Sequence, residues 1–137
     1  MTIPAKPFVR VVAAALYDGA GRVLIAERPP GKHMAGRWEF PGGKMAAGES
    51  EAEALARELR EELGIVVGSG RALMRLSHAY EDRQVELSLW VVLSYTGEPA
   101  SLDGQRLKWV LPQSLADEDI LEADRPFVEA LARLPPP

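Results

Sequence analysis

A chain of 137 residues, 47% hydrophobic and 26% charged, has the make-up of an ordinary globular protein and is long enough to bury a core within one domain. Its formal net charge of −4 argues against the basic stripe by which proteins hold long nucleic acids, but not against a small phosphate ligand whose charge a metal offsets. The lack of cysteine excludes disulfides, thiolate metal sites and cysteine nucleophiles. The apolar run over 11–16 is too short to cross a bilayer and leads into Asp18-Gly19 rather than a cleavage site, so no membrane association and a cytoplasmic location are expected.

Residues 8–17 (FVRVVAAALY) predict a strand buried on both faces. Asp18-Gly19-Ala20-Gly21 is a turn, and residues 22–27 predict a second strand paired with the first as a hairpin. Pro29, Pro30 and Gly31 end it, and a loop through Lys32, His33 and Gly36 leads to Trp38-Glu39-Phe40. At Pro41-Gly42-Gly43 the backbone can approach a ligand with no Cβ between them. An amphipathic helix follows, with Ala52, Leu55, Ala56, Leu59 and Leu63 on its core face and Gly64 suited to a left-handed cap. Residues 71–80 are a weaker strand signal, stopped by Glu81-Asp82. Val85, Leu87, Leu89, Val91 and Leu93 alternate with Glu86 and Ser88 as a clear strand. A loop over 96–104, a short strand over 106–111 and a turn at Pro112 precede a closing helix. Asp124 is expected to cap it, with Pro126 in its first turn and Phe127, Ala130, Leu131 and Leu134 on its core face. Residues 135–137 are expected to fray. Trp38, Trp90 and Trp109 are assigned to packing. Strands, helix, strands and helix predict an α/β protein, residues 1–137 forming a single domain with helices on the faces of a mixed sheet.

The chemistry concentrates on the first helix. Glu58, Glu61 and Glu62 stand three and four apart, so their carboxylates share a face and repel one another unless something positive sits among them. A hard divalent cation is a natural counter-charge for oxygen ligands, whereas a solvated acidic face is the plain reading of three glutamates alone. Their setting is more specific. Gly43, five residues, Glu49, seven residues, then Arg57-Glu58-Leu59-x-Glu61-Glu62-x-Gly64-Ile65 matches the Nudix box at every specified position. Residues 33–44 (HMAGRWEFPGGK) resemble the segment preceding that box in MutT proteins, and the chain looks like the MutT branch of the Nudix hydrolases over nearly its whole length.

That resemblance implies an α/β/α sandwich with a mixed sheet between helices. It also implies a Mg²⁺-dependent nucleoside triphosphate diphosphatase, with Mn²⁺ able to substitute, acting on a small nucleotide and not on a nucleic-acid polymer. A monomer is expected. Glu62 and the Gly42 carbonyl are implied as metal ligands, joined by Glu58 and Glu61. Arg57 is implied to orient the loop and the catalytic carboxylates, against the alternative of surface ion pairs with Glu53 and Glu61. Glu49 is expected to tie the loop to the helix start. Asp103 falls where MutT proteins carry a further glutamate near the metals. One methylene shorter, it is either a ligand or base, or a solvated loop aspartate. Arg28 and His33 fall where MutT proteins contact the nucleotide; read without the resemblance, they are an edge-strand charge and a loop residue. Phe40, Tyr80, Val9 and Val85 match the walls of the base pocket and Arg83 an arginine near the base. Asp124 stands where MutT proteins can carry an asparagine that reads oxidised guanine, and is either a base contact or only a helix cap. The implied substrate is 8-oxo-dGTP. A CTP or modified-dCTP diphosphatase and a non-catalytic nucleotide sensor are the alternatives.

Overall fold

The computed structural model describes residues 7–135 and 137. The other strands assemble around β1 (Phe8–Ala15). It pairs antiparallel with β4 (Gly42–Lys44) on one side and parallel with β6 (Gln84–Thr96) on the other. β6 in turn pairs antiparallel with β5 (Val66–Ala79), giving a mixed four-stranded sheet in the order β4-β1-β6-β5. β2 (Val23–Glu27), β3 (Trp38–Glu39) and β7 (Leu107–Val110) form a separate three-stranded antiparallel sheet in the order β3-β2-β7.

The expected hairpin between residues 8–17 and 22–27 forms only at its turn, where the Asp18 N–H donates to the Arg22 carbonyl and the Leu24 N–H to the Leu16 carbonyl. After the Tyr17–Val23 bridge, β2 leaves β1 and joins the second sheet. The reason is occupancy: β4 and β6 already take both edges of β1, so none remains for β2. β1 is also buried on both faces only over its second half, while Phe8 and Arg10 at its start are exposed.

Because successive side chains of a strand point to opposite faces, β1 feeds two cores. Val12, Ala14 and Leu16 join Leu24 beneath Leu55, Leu59 and Leu63 of α1 (Glu51–Leu63). Ala13, Ala15 and Tyr17 join Val23 and Ile25 beneath Phe127, Val128 and Leu131 of α2 (Arg125–Arg133). The architecture is the expected α/β/α arrangement, with its strand layer divided into two sheets. Trp38 packs in the α2 core, and Trp90 and Trp109 pack against the α1 core.

α1 begins at Ser50, whose hydroxyl accepts the Glu53 N–H while the Glu53 carboxylate accepts the Ser50 N–H, a reciprocal capping box. It ends at Gly64, whose φ of 71° is the left-handed cap read from the sequence. β5 is longer than the 71–80 segment expected and begins directly after the helix. Most of it is exposed, so it shows little hydrophobic alternation and is held by its ladder to β6.

Asp124 differs from expectation. It precedes α2, but its side chain makes no capping bond. Residues Glu122–Asp124 already form a 3₁₀ turn that runs into the helix, so Asp124 has helical backbone angles (φ −91°, ψ −7°) rather than the extended ones a cap uses. The frayed tail expected at 135–137 includes Pro136, which lies outside the described residues.

Candidate active site

α1 lays its carboxylates against the glycine turn. Gly42 (φ 152°) lies so close to the β1 backbone at Val12 and Ala13 that a Cβ there would collide with it. A Cβ on Gly43 would stand 2.5 Å from the Glu58 carboxyl carbon. The Gly42 N–H donates to Glu62 Oε2 at 3.4 Å. Burial, reinforced by the charge of Glu58, pushes the Glu62 carboxyl up to about 8. Burial also raises Glu58, against the pull of Arg57. Of these two neighbouring carboxylates Arg57 meets only Glu58, and their donor set, carboxylate oxygens beside a backbone turn, suits a hard divalent cation. No group of three or more acidic or histidine side chains is gathered to hold a metal among the described residues.

Of the expected ligands, Gly42, Glu58 and Glu62 line one cavity, and Glu61 does not. The Glu61 side chain is 59% exposed and stands on Arg57 at 3.3 Å. Arg57 is the hub of this end. Its Nε and Nη2 grip both oxygens of Glu49 at 2.7 and 2.9 Å, Nη2 also reaches the Lys44 carbonyl at 3.0 Å, and Nη1 reaches Glu58 at 3.1 Å. Hydrogen bonds from Arg57 and from the Ala46 N–H draw the Glu49 carboxyl down to about 2. The loop between β4 and α1 is thus clamped to the helix, and Glu53, committed to the capping box, takes no part. Asp103 lies in an adjoining recess of about 220 Å³ shared with Glu39, Glu62 and Lys32.

The main cavity, about 710 Å³, runs from Glu58 and Glu62 to a second, largely apolar end. Val9 and Val11 of β1 and Val85 and Leu87 of β6 form one wall, and Phe40 and Tyr80 stand beside them. Arg83 lies over the Tyr80 ring at 4.5 Å, and His33 meets the same ring edge-on at 6.2 Å. Arg28 donates to the His33 carbonyl at 2.7 Å and to Glu39 at 2.9 Å, so it ties its loop to the cavity floor. Asp124 is 4% exposed and accepts the Phe40 N–H. Burial, then the charge of Glu39, pushes its carboxyl up to about 7. It is carried there by residues 119–121, which bond both backbone groups of Trp38. All six expected substrate-contact residues, Arg28, His33, Phe40, Tyr80, Arg83 and Asp124, line this one cavity.

Glu39 is the residue that sequence reasoning missed. It lines both cavities, pairs with Arg28, and is raised by burial against the charges of Arg28 and Lys32. The available signal was a carboxylate between Trp38 and Phe40 immediately before the glycine turn.

A family model described as NUDIX domain matches residues 12–130. The chain belongs to the Nudix family. It is 37% identical over 123 residues to the CTP pyrophosphohydrolase of Escherichia coli strain K12, covering 90% of this chain and 91% of that one. It is 43% identical over 124 residues to the putative 8-oxo-dGTP diphosphatase 2 of Mycobacterium tuberculosis, covering 90% and 87%. Among solved structures, one from a study of MutT from Aliivibrio salmonicida and Vibrio cholerae superposes with a TM-score of 0.81 at 32% identity, covering 93% of this chain and 99% of that one. The protein is therefore a Nudix hydrolase. Much of its Nudix box is scaffold: Leu59 and Ile65 are fully buried, Gly64 stops the helix, and Glu49 and Arg57 brace the loop. Of the box's carboxylates, that leaves Glu58, Glu61 and Glu62.

Proposed function

We propose that this Nudix hydrolase is a Mg²⁺-dependent nucleoside triphosphate diphosphatase that converts 8-oxo-dGTP to 8-oxo-dGMP and pyrophosphate. In this reading it is a single-domain, monomeric, cytoplasmic enzyme. It removes oxidised nucleotide before DNA replication can use it, and so limits mutation. What supports the reading is one cavity joining the α1 carboxylates Glu58 and Glu62 to a buried, protonatable Asp124.

At the phosphate end, Glu58, Glu62 and the Gly42 carbonyl would hold Mg²⁺, with Mn²⁺ able to substitute. The bound ion would neutralise phosphate charge and make water more acidic. Arg57 keeps Glu58 and the β4–α1 loop in register. Asp103, in the adjoining recess, or Glu61, held on Arg57, would accept the proton of the attacking water. Water oxygen bonds to the β-phosphorus, the bond from that phosphorus to the α–β bridging oxygen breaks, and the nucleoside monophosphate leaves. Hydrolysis in ¹⁸O-labelled water then places the label in pyrophosphate. Label in the monophosphate would mean attack at the α-phosphorus and end this mechanism.

At the base end, Phe40, Tyr80 and the β1–β6 wall receive the ring, with Arg28, His33 and Arg83 around the nucleotide. Oxidation of guanine turns N7 from an acceptor into a donor while O6 remains an acceptor. Protonated Asp124 offers one acceptor and one donor and can serve both; the ionised form serves N7 only and repels O6. A carboxyl pushed up to about 7 retains its proton for a substantial part of the time at neutral pH. The same residue keeps a second reading in play, because ionised Asp124 accepts directly from the cytosine N4 amino group. The similarity to a CTP pyrophosphohydrolase agrees with that reading. Pyrophosphate release measured over 8-oxo-dGTP, dGTP, CTP and dCTP decides between the two. A protein that binds nucleotide and releases no pyrophosphate from any of them is a sensor, and the proposal falls.

A further inference from the structure

α1 carries a second anchored glutamate, two turns before Glu58 and outside the cavity. Glu51 is the first residue of the helix, and its side chain is only 15% exposed. Both of its oxygens are held. Oε1 accepts the Trp90 Nε1–H of β6 at 2.8 Å, and Oε2 takes Arg75 Nε and Nη2 of β5 at 2.8 and 2.7 Å. The buried Ser88 hydroxyl adds a further bond to the same carboxylate. Burial alone would raise this carboxyl, but the donors together bring it below its ordinary range. The three donors converge because Ser88 and Trp90 are two apart on β6, and Arg75 is directly opposite Ser88 on β5.

The placement matters because of what else fixes α1. Ala54, Leu55, Leu59 and Leu63 bury well, but apolar contact is non-directional and resists small rotations about the helix axis only weakly. Glu51 and Glu58 are seven residues apart, so they project from nearly the same side of the helix, separated by about 10 Å along it. The first is pinned to β5 and β6, and the second lies against Gly43 of β4. A side chain reaches about 5–6 Å from the helix axis, so a rotation of roughly 10° moves its tip by about 1 Å. A misplacement of about 1 Å is enough to cost about a hundredfold in rate. Ser50 and Glu53 cap the helix independently, so the carboxylate of Glu51 is not what starts it.

We infer that Glu51 is a positioning residue, which fixes the rotation of α1 through Trp90, Ser88 and Arg75 and so holds Glu58 and Glu62 in register with the Gly42–Gly43 turn. The inference rests on the reading of Glu58 and Glu62 as metal ligands. It predicts a change at the metal and in turnover, with none at the base pocket.

The test compares Mn²⁺ affinity, read directly by the loss of the free-ion paramagnetic signal, with steady-state kinetics and melting temperature. Glu51→Ala should weaken Mn²⁺ binding by about tenfold and lower kcat by roughly 10–100-fold, leaving KM for the nucleotide within about threefold. Glu51→Gln keeps an acceptor for Trp90 and should fall between Glu51→Ala and wild type. Tyr95→Phe is the structural control: it deletes the bond from the Tyr95 hydroxyl to the Tyr17 carbonyl but keeps the ring packed against the α1 core, and should lower the melting temperature with Mn²⁺ affinity unchanged. If Glu51→Ala melts earlier but binds Mn²⁺ and turns over like wild type while folded, Glu51 is a structural tie and the inference is wrong. Should Glu51→Ala not fold, Trp90→Phe retains the ring without the donor and carries the same expectation in smaller measure. A wild-type protein that binds Mn²⁺ but releases no pyrophosphate ends the functional reading alone, and the affinity comparison still decides the role of Glu51. A wild-type protein that binds no Mn²⁺ overturns both.

Discussion

At the end of the cavity proposed for the phosphates, the lining groups come from one helix and the turn just before it. Glu58 and Glu62 face Gly42 and Gly43, and Arg57 closes the intervening loop onto Glu49. At the base end, the groups come from β1, the loop after β2, the tip between β5 and β6, and the turn before α2. The first arrangement is local and polar. The second is assembled from distant segments around an apolar wall, and its one deeply buried carboxylate, Asp124, sits at the edge of protonation. Under the proposed function the difference becomes a division of labour, in which the local end sets whether a phosphate bond is broken and the assembled end sets which nucleotide is taken.

The strongest way to break that division is at Glu62. Glu62→Gln keeps size and the bond from the Gly42 N–H but makes a far poorer metal ligand. Turnover should fall by more than the roughly 10–100-fold typical of outer-shell changes, with the ratio of kcat/KM between 8-oxo-dGTP and CTP unmoved. Glu129→Gln, on the exposed face of α2, is the control, since Glu53 is tied up in the capping box. A Glu62→Gln enzyme within a few-fold of wild type would remove Glu62 from the site.

Arg57→Lys sharpens the comparison at the same end. Lysine keeps the charge but cannot grip both Glu49 oxygens while also reaching the Lys44 carbonyl and Glu58. Activity should drop about 10–100-fold, with base preference again unchanged. Full activity in Arg57→Lys would reduce this network to a surface ion pair.

At the other end, Asp124→Asn should alter selectivity rather than turnover. A contact with two groups of a base is worth roughly 1–3 kcal/mol of discrimination, so the 8-oxo-dGTP to CTP preference should move by about tenfold or more. In the wild type the same ratio should fall as pH rises through about 7, because the ionised carboxylate repels O6 and accepts from cytosine. In Asp124→Asn that pH dependence should vanish. A ratio that is flat with pH in the wild type would take Asp124 out of base reading.

The two ends also differ in how far the sequence revealed them. The spacing from Gly43 to Ile65 spells out a turn, a brace, a helix and its stop, because the bonds that make the brace, the cap and the stop lie within one short segment. Ser50 and Gly64 bound the helix with local bonds of the same kind. The path of β2 was not legible, since a strand signal does not say which edges are already taken. β5 was underestimated because an exposed edge strand need not alternate. Asp124 looked like a cap because Pro126 follows it. Only the 3₁₀ turn before it and the pairing of residues 119–121 with Trp38 turn its carboxylate inward. Glu39 and Glu51 escaped for a related reason, as each depends on partners far away in the chain.

The smallest expected effects are on stability, and they separate a residue that caps from one that only looks as though it should. Ser50→Ala removes a real cap and should cost about 1 kcal/mol at neutral pH. Asp124 makes no capping bond, so Asp124→Asn loses nothing there, and an amide oxygen still accepts from the Phe40 N–H. What changes is the proton. In the unfolded chain the carboxyl titrates near 3.8, and in the folded protein near 7, so between those values the native state holds a proton that the unfolded state has released. Stability from this group is complete below about 3.8 and is lost as pH rises to about 7, after which the loss is constant. Asp124→Asn has no such slope. Its melting temperature should match wild type near pH 4, gain on it up to pH 7, and keep a constant lead above that. A lead that does not grow with pH, or a variant less stable than wild type at pH 8, would show that the Asp124 carboxylate is stabilised where it lies and that its proton is not shared with the base.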